Sequence, residues 1–258
     1  MITDSPPRAV HRDRSGTPVL SYVAGSDDDR PAAFGVLGIG DVDLTAPDLV
    51  DLLIADLPGW VLSGPSELGL ALEARGARVR RRFHVMTRSL AGDPPPPEWA
   101  ETDLGPGHRA VRCDRDPHDI LDAYRAAYST PGHPDPLPDR DDEVLAERLA
   151  PLLTARASQL LPSSRLVVDH EDRVVAGAFL QATPRGPWIA DVFRRPGPEQ
   201  AGLGSALLRQ VLAGAAADGV RELGLAVTDG NPAQGRYERL DFRTTLSMTT
   251  LVMPEATA

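Results

Sequence analysis

An α/β fold in two parts is predicted for this chain of 258 residues. Three observations predict it. Four consecutive prolines divide the chain. On both sides of them, short apolar runs with strand character alternate with runs of helical period. In the second part a glycine-rich loop joins a strand to a long helix.

The division is Gly92-Asp93-Pro94-Pro95-Pro96-Pro97-Glu98. Consecutive prolines make a stiff, extended spacer without backbone donors. The polar, glycine-rich stretch up to Gly107 continues it. Residues 92–106 are therefore expected to link a domain at 1–91 to one at 107–258.

In the second part, Ala110 to Arg112 starts a strand. Asp116 to Tyr128 reads as a helix, with Ile120, Leu121, Tyr124 and Tyr128 at helical spacing. Ser129 to Pro136 carries too much proline and glycine for regular structure. A second helical pattern runs from about Asp142 to Leu161, broken near Pro151. The period then changes. Leu166 to Val168, a polar turn at Asp169 to Arg173, and Val174 to Leu180 read as a hairpin. Trp188 to Phe193 is a third strand, Gly202 to Ala217 a helix, and Glu222 to Val227 a strand. A short helix over about Pro232 to Leu240 precedes a strand from Arg243 to Met253.

The first part shows a shorter version of this order. Ala32 to Ile39 and Trp60 to Leu62 read as strands, Pro47 to Leu57 and Glu67 to Ala74 as helices, and Val79 to Leu90 as a further strand. This order suggests a partial internal duplication of the later half of the second domain. Chance recurrence in an α/β chain is the alternative.

Composition narrows the function classes. Hydrophobic residues make up 41%, a globular proportion, and the net charge is -10 with arginine as the sole basic residue besides histidine. An acidic surface repels phosphate backbones, so nucleic acid is not an expected partner. A single cysteine, Cys113, allows no internal disulfide. No apolar run is long enough to span a bilayer, and Met1 to Pro7 lacks the features of a signal peptide. A cytoplasmic protein is expected, without membrane partners, as a monomer or homodimer. Histidines and carboxylates are scattered without ligand spacing, so no metal is expected. His133 and His170 read as exposed loop residues.

The chemistry concentrates in two segments. In the first, Phe193 to Ser205, a strand ends, a loop turns, and Gly202 and Gly204 open a helix carrying Leu203, Leu207, Val211 and Ala215 on one face. Unspent N–H groups at a helix start, with the helix dipole, favour an anion, and glycine admits it close to the backbone. The second segment is Gly230-Asn231-Pro232-Ala233-Gln234-Gly235-Arg236-Tyr237-Glu238-Arg239-Leu240-Asp241-Phe242. Asn231 suits an N-cap with Pro232 at the first helical position.

Together these segments resemble the GNAT superfamily of N-acetyltransferases. Glu199 to Gly204 is similar to its diphosphate loop, Gln/Arg-x-x-Gly-x-Gly/Ala. Asn231 to Phe242 is similar to its Asn-x-x-Ala and Leu-Tyr-Glu-x-Leu-Gly-Phe segment. The resemblance covers about the last 150 residues. Three positions depart from it: Glu199 where Gln or Arg is usual, Arg236 for Leu, and Asp241 for Gly.

The resemblance implies a mixed, mostly antiparallel sheet flanked by helices, preceded here by a smaller partial copy. It implies acetyl-coenzyme A as cosubstrate and direct acetyl transfer to a primary amine, with a small molecule as partner. Backbone groups of Val192, Phe193 and Arg194 would hold the acetyl carbonyl and pantetheine arm. Amides of Gln200, Ala201, Gly202, Leu203, Gly204 and Ser205 would bind the diphosphate, with Gln200 able to stand in for position 199. Asn231 would contact the cofactor arm, and Tyr237 would give a proton to the leaving thiolate. Asp191 is a candidate general base or a solvent-facing strand charge.

Gly35-Val36-Leu37-Gly38-Ile39-Gly40 also fits a glycine-rich phosphate pattern. Asp41 and Asp43 follow it, where an anion would need donors and no negative charge. The first part is therefore expected to lack a cofactor site. Tandem GNAT proteins, the mycothiol synthase family among them, share this layout of architecture. A coenzyme A-binding regulatory module, or an interaction protein working through its N-terminal half, are the competing readings.

Overall fold

The computed structural model describes residues 7–129, 132–137, 141–153 and 160–256. They form two compact units. The first comprises Met1–Val85, Val227–Asp229 and Thr244–Ala258; the second comprises Met86–Ala226 and Gly230–Arg243.

The first unit opens with a meander of β1 (Arg8–Arg12), β2 (Pro18–Asp27) and β3 (Arg30–Gly38), each antiparallel to the next. Local chemistry makes both turns. The Asp13 carboxylate accepts the N–H groups of Ser15 and Thr17 at 2.9 and 2.8 Å. Asp28 and Asp29 take positive φ of 48° and 62°, the backbone of a two-residue hairpin. Helix α1 (Pro47–Asp56) then leads to β4 (Val61–Pro65), which lies parallel to β3 over Ala32, Ala33 and Phe34. Helix α2 (Ser66–Glu73) leads into β5 (Arg78–Ser89). Both helices turn leucines into one core: Leu49, Leu52, Leu53, Leu68 and Leu72 pack with Leu20, Val36, Leu62 and Leu251.

Leu251 belongs to β11 (Arg243–Val252), which runs antiparallel to β4 from Met248 opposite Pro65 to Val252 opposite Val61. A Cβ at Gly69 of α2 would sit 2.6 Å from the Thr249 side chain, so only glycine allows this approach. The strand order here is β1-β2-β3-β4-β11.

The second unit is built from β6 (Arg109–Val111), α3 (His118–Tyr128), α4 (Asp142–Leu153), β7 (Arg165–Val168), β8 (Val174–Thr183), β9 (Gly186–Arg194), α5 (Leu203–Ala217), β10 (Glu222–Thr228) and α6 (Gln234–Glu238). Its strand order is β6-β7-β8-β9-β10, antiparallel up to β9 and parallel between β9 and β10. Strand β8 is buried from Val174 to Leu180, as expected of a strand covered on both faces. On one face Ile120, Leu121 and Tyr124 of α3 and Leu145 and Leu149 of α4 pack with Phe179 and Phe193. Helix α5 buries Leu203, Leu207, Leu208, Val211, Leu212 and Ala215, the stripe its period predicts.

The fold is the mixed, mostly antiparallel α/β sheet that the resemblance implies. Three expectations need correction. First, β1 and β2 are strands that the apolar pattern did not single out; with them, the first unit reproduces the order β7 to β11 rather than its later part alone. Second, residues 92–106 are not a free spacer. Pro97–Glu101 forms a 3-10 turn, and the Trp99 ring lies 5.0 Å from the Arg88 guanidinium and 5.8 Å from that of Arg209. Gln210 of α5 donates to the Thr102 carbonyl at 2.7 Å, and Leu104 is buried. Third, the units do not divide at the prolines. The end of β5 belongs to the second unit and β11 to the first, because long-range strand pairing decides membership and proline marks only missing donors.

Helix α4 continues through Pro151 to Leu153. Its expected extension lies largely at 154–159, outside the described residues. No helix among the described residues is long and apolar enough to cross a membrane.

Candidate active site

Strand β9 is paired along one edge only for most of its length. Towards β8 its register runs Val192 opposite Ala178, Phe193 opposite Gly177 and Arg194 opposite Ala176. The Arg195 N–H donates to the Val175 carbonyl at 2.8 Å. Backbone groups of alternate residues in an antiparallel ladder face the same neighbour. Phe193 therefore turns its N–H and C=O to β8 with Arg195, while Val192 and Arg194 turn theirs to the other edge. On that edge β10 meets β9 at one register position, Trp188 opposite Gly224. A Cβ on Gly224 would lie 2.6 Å from the Trp188 ring, so glycine is what lets the indole seat there. Beyond this point the parallel strands part. The backbone of Val192 and Arg194 borders an opening and not a ladder.

Of the three predicted β9 residues, Phe193 thus stands apart. Its backbone faces β8, and its ring is in the core, 5.4 Å from that of Tyr124. A bulge at Ala190, between the pairs Phe179–Asp191 and Leu180–Ile189, re-aims the strand just before the opening.

The predicted anion loop forms the start of α5. Gly202 has φ of +81°, which other L-residues rarely adopt, and a Cβ there would meet nothing within 4 Å. The turn bonds engage the N–H groups of Ala201, Leu203, Ser205 and Ala206, with Pro198, Gln200 and Gly202 as acceptors. Those of Gln200, Gly202 and Gly204 lie outside this set. Gly202 is exposed and Gly204 half-buried, so the backbone is open to a ligand. Glu199 is exposed, and the Gln200 side chain folds back to 2.9 Å from the Cβ position of Gly197.

Asn231 is engaged at both ends. Its Oδ1 accepts the Ala233 N–H at 2.9 Å in the turn before α6, whose N-cap is Ala233 and not Asn231 as expected, and its Nδ2 donates to Asp135 at 3.3 Å. It holds the helix that carries Tyr237. The Tyr237 ring packs edge-on against Phe242, with 5.9 Å between centroids. Burial, and then the charge of Asp191, push its phenol up to about 12.

Asp191 is not a solvent-facing charge. It is half-buried, and the Tyr124 hydroxyl donates to its Oδ2 at 2.6 Å. The Tyr128 hydroxyl donates to its Oδ1. Burial and the Asp191 charge push the Tyr128 phenol far up, so it stays a donor. His133 is also corrected: it is half-buried, its ring is 5.1 Å from that of Tyr128, and its Nδ1 accepts the Asp135 N–H at 3.0 Å. His170 is exposed, as expected.

The second unit therefore gathers Asp191, Tyr237, Val192, Arg194, Asn231 and the start of α5 around one region, and adds Tyr124, Tyr128 and Asp135. The two α3 tyrosines were legible only as helix-face residues; their i, i+4 spacing carries both to the same carboxylate. The segment 35–40 lies in the first unit, just after the three β3–β4 pairs at Ala32, Ala33 and Phe34. There the Asp43 carboxylate already accepts the Thr45 N–H and hydroxyl, at 2.8 and 2.7 Å. Among the described residues no group of three or more His, Cys, Asp or Glu is placed to hold a metal ion.

Known proteins align with this geometry. The model of the acetyltransferase (GNAT) family matches residues 118–242. A GCN5-related N-acetyltransferase from Sphaerobacter thermophilus superposes with a TM-score of 0.66 at 18% identity, covering 96% of this chain and 82% of that one. A tandem GNAT protein from the clavulanic acid biosynthesis pathway gives a TM-score of 0.59 at 14% identity, covering 98% and 86%. A GCN5-related N-acetyltransferase from Kribbella flavida gives 0.54 at 16% identity, covering 98% and 91%. No curated protein matches this sequence. The opened β9 edge, the glycine-turned helix start and these matches lead to one assignment: residues 118–242 are a GNAT acetyltransferase family domain, in a chain that shares the tandem GNAT fold.

Proposed function

We propose that the second unit is an acetyl-coenzyme A-dependent N-acetyltransferase that acetylates a primary amine of a small molecule by direct transfer. The observation that carries this reading is the opening beside β9, bordered by the outward backbone of Val192 and Arg194 and lying with the start of α5, Asp191 and Tyr237 in one unit. Acetyl-coenzyme A would supply an acetyl group already activated as a thioester.

The residues present fit that group. Outward N–H groups on β9 are fixed donors for the acetyl carbonyl oxygen, and preorganised donors of this kind stabilise charge that develops there. The open N–H groups of Gln200, Gly202 and Gly204 suit the diphosphate. Asp191 is the acceptor for the proton that the amine nitrogen loses as its bond to carbon forms and the carbon–sulfur bond breaks. Tyr124 and Tyr128 hold that carboxylate in place.

Tyr237 takes a more specific role than proton donor. A thiol of ordinary pKa, about 8.5, holds its proton less tightly than a phenol pushed up to about 12. Full transfer to the leaving thiolate would run uphill. Tyr237 acts as a hydrogen-bond donor to the sulfur, and solvent completes the protonation.

The test is release of coenzyme A thiol across a panel of primary amines, with acetylated amine identified by mass. Thiol release in step with one acetylated amine supports the proposal. Tight acetyl-coenzyme A binding with no turnover on any amine favours the regulatory-module reading instead.

A further inference from the structure

We propose that Arg194 supplies the cationic contact to the cofactor diphosphate that position 199 does not give in this chain. This rests on the reading of the second unit as an acetyl-coenzyme A site. A carboxylate at Glu199 can only repel a diphosphate, and the Gln200 side chain is folded over Gly197. A positive side chain has to come from elsewhere.

Arg194 is placed for it. It is the last residue of β9, and its side chain runs to the start of α5, with Cδ 3.9 Å from the Cβ position of Gly204. It is half-buried. Its Nη1 donates to the Arg195 carbonyl at 2.9 Å, and no carboxylate pairs with it among the described residues. The neighbouring Arg195, by contrast, reaches Asp122 at 4.0 Å. A guanidinium partly withdrawn from water without a counter-charge is an unfavourable arrangement unless an anion completes it.

Its surroundings add to the imbalance. Burial lowers the Arg194 pKa, and the charge of Arg236 lowers it further, beside a helix start that is itself positive. In a chain of net charge -10, this local excess of positive charge runs against the whole. The planar guanidinium fits phosphate oxygens in a bidentate way, which a lysine could not copy. The proximity to Gly204 assigns the contact to the diphosphate and not to the 3′-phosphate of the cofactor.

Calorimetric titration of the full chain with coenzyme A and with dephospho-coenzyme A tests this. Arg194→Gln should weaken both ligands alike, by roughly tenfold to a hundredfold, and the loss should shrink as salt rises. Arg194→Lys should recover part of it, and Arg236→Gln should cost less than Arg194→Gln. Circular dichroism establishes that each variant is folded. Unchanged affinity in Arg194→Gln, or a loss confined to coenzyme A with dephospho-coenzyme A unaffected, overturns the assignment. Failure of the wild-type chain to bind either ligand overturns the cofactor reading itself, a distinct result.

Discussion

The Tyr124 phenol and the Asp191 carboxylate are joined by a hydrogen bond of 2.6 Å, from helix α3 to strand β9. With Tyr128 on the other oxygen, the carboxylate is held from two successive turns of one helix. Asp191→Asn keeps the shape and removes the charge, and its amide nitrogen cannot accept a phenol. Turnover should fall by about 100- to 10,000-fold, with acetyl-coenzyme A affinity little changed. Steady-state rates beside a thermal melt decide the role. A lowered melting temperature with turnover intact makes Asp191 a structural carboxylate.

Tyr237→Phe keeps the ring against Phe242 and deletes the hydroxyl. Loss of a donor aimed at sulfur should slow turnover by roughly tenfold to a hundredfold, at the low end of acid–base effects, with cofactor affinity unchanged. Because the phenol is pushed up to about 12, its ionisation should not shape the rate profile below pH 10. An alkaline fall centred near pH 10 that disappears in Tyr237→Phe contradicts that shift.

One coenzyme A should bind per chain. In the second unit β9 and β10 pair at one position and then part; in the first, β3 and β4 are paired over three. Beyond those pairs comes the glycine-rich segment 35–40, and Asp41 and Asp43 follow it with charges that oppose a diphosphate. Equilibrium dialysis or calorimetry measures the stoichiometry, and a value of two refutes the distinction.

Cys113 should be inert while the protein is folded. It is buried, and burial pushes its thiol up to about 12. The thiolate is the reactive form. A chromogenic disulfide reagent at pH 8 should find no native thiol and one per chain in guanidinium. Rapid native labelling would show that the pocket around Cys113 opens.

The loop from β9 into α5 was legible because its signals are local: glycines, an apolar stripe four residues apart, and a strand before it. Asn231 was expected as the cap of α6, but the helix starts later, with Ala233 at the N-cap and Asn231 in the turn before it. What escaped was non-local. Tyr124 and Tyr128 read as an apolar helix face, since a phenol serves both a core and a carboxylate, and the partner lies roughly 65 residues away. Strands β9 and β10 meet at Trp188 and Gly224, a pair that no window of sequence contains. The prolines, so plain in the sequence, were misleading. They stiffen a segment that Trp99 and Gln210 then fasten down.

The placement of β11 has a consequence for biosynthesis. Its partner β4 emerges from the ribosome roughly 180 residues earlier. At about 5 to 20 residues per second, β4 waits some ten to forty seconds for the strand that covers it. During that interval the edge of β4, with Val61 and Leu62 buried in the finished protein, is open to wrong pairing. Nascent chains stalled before β11 should therefore recruit holdase chaperones and aggregate when released, although every residue of the acetyltransferase-like β9–α5 segment has already been made.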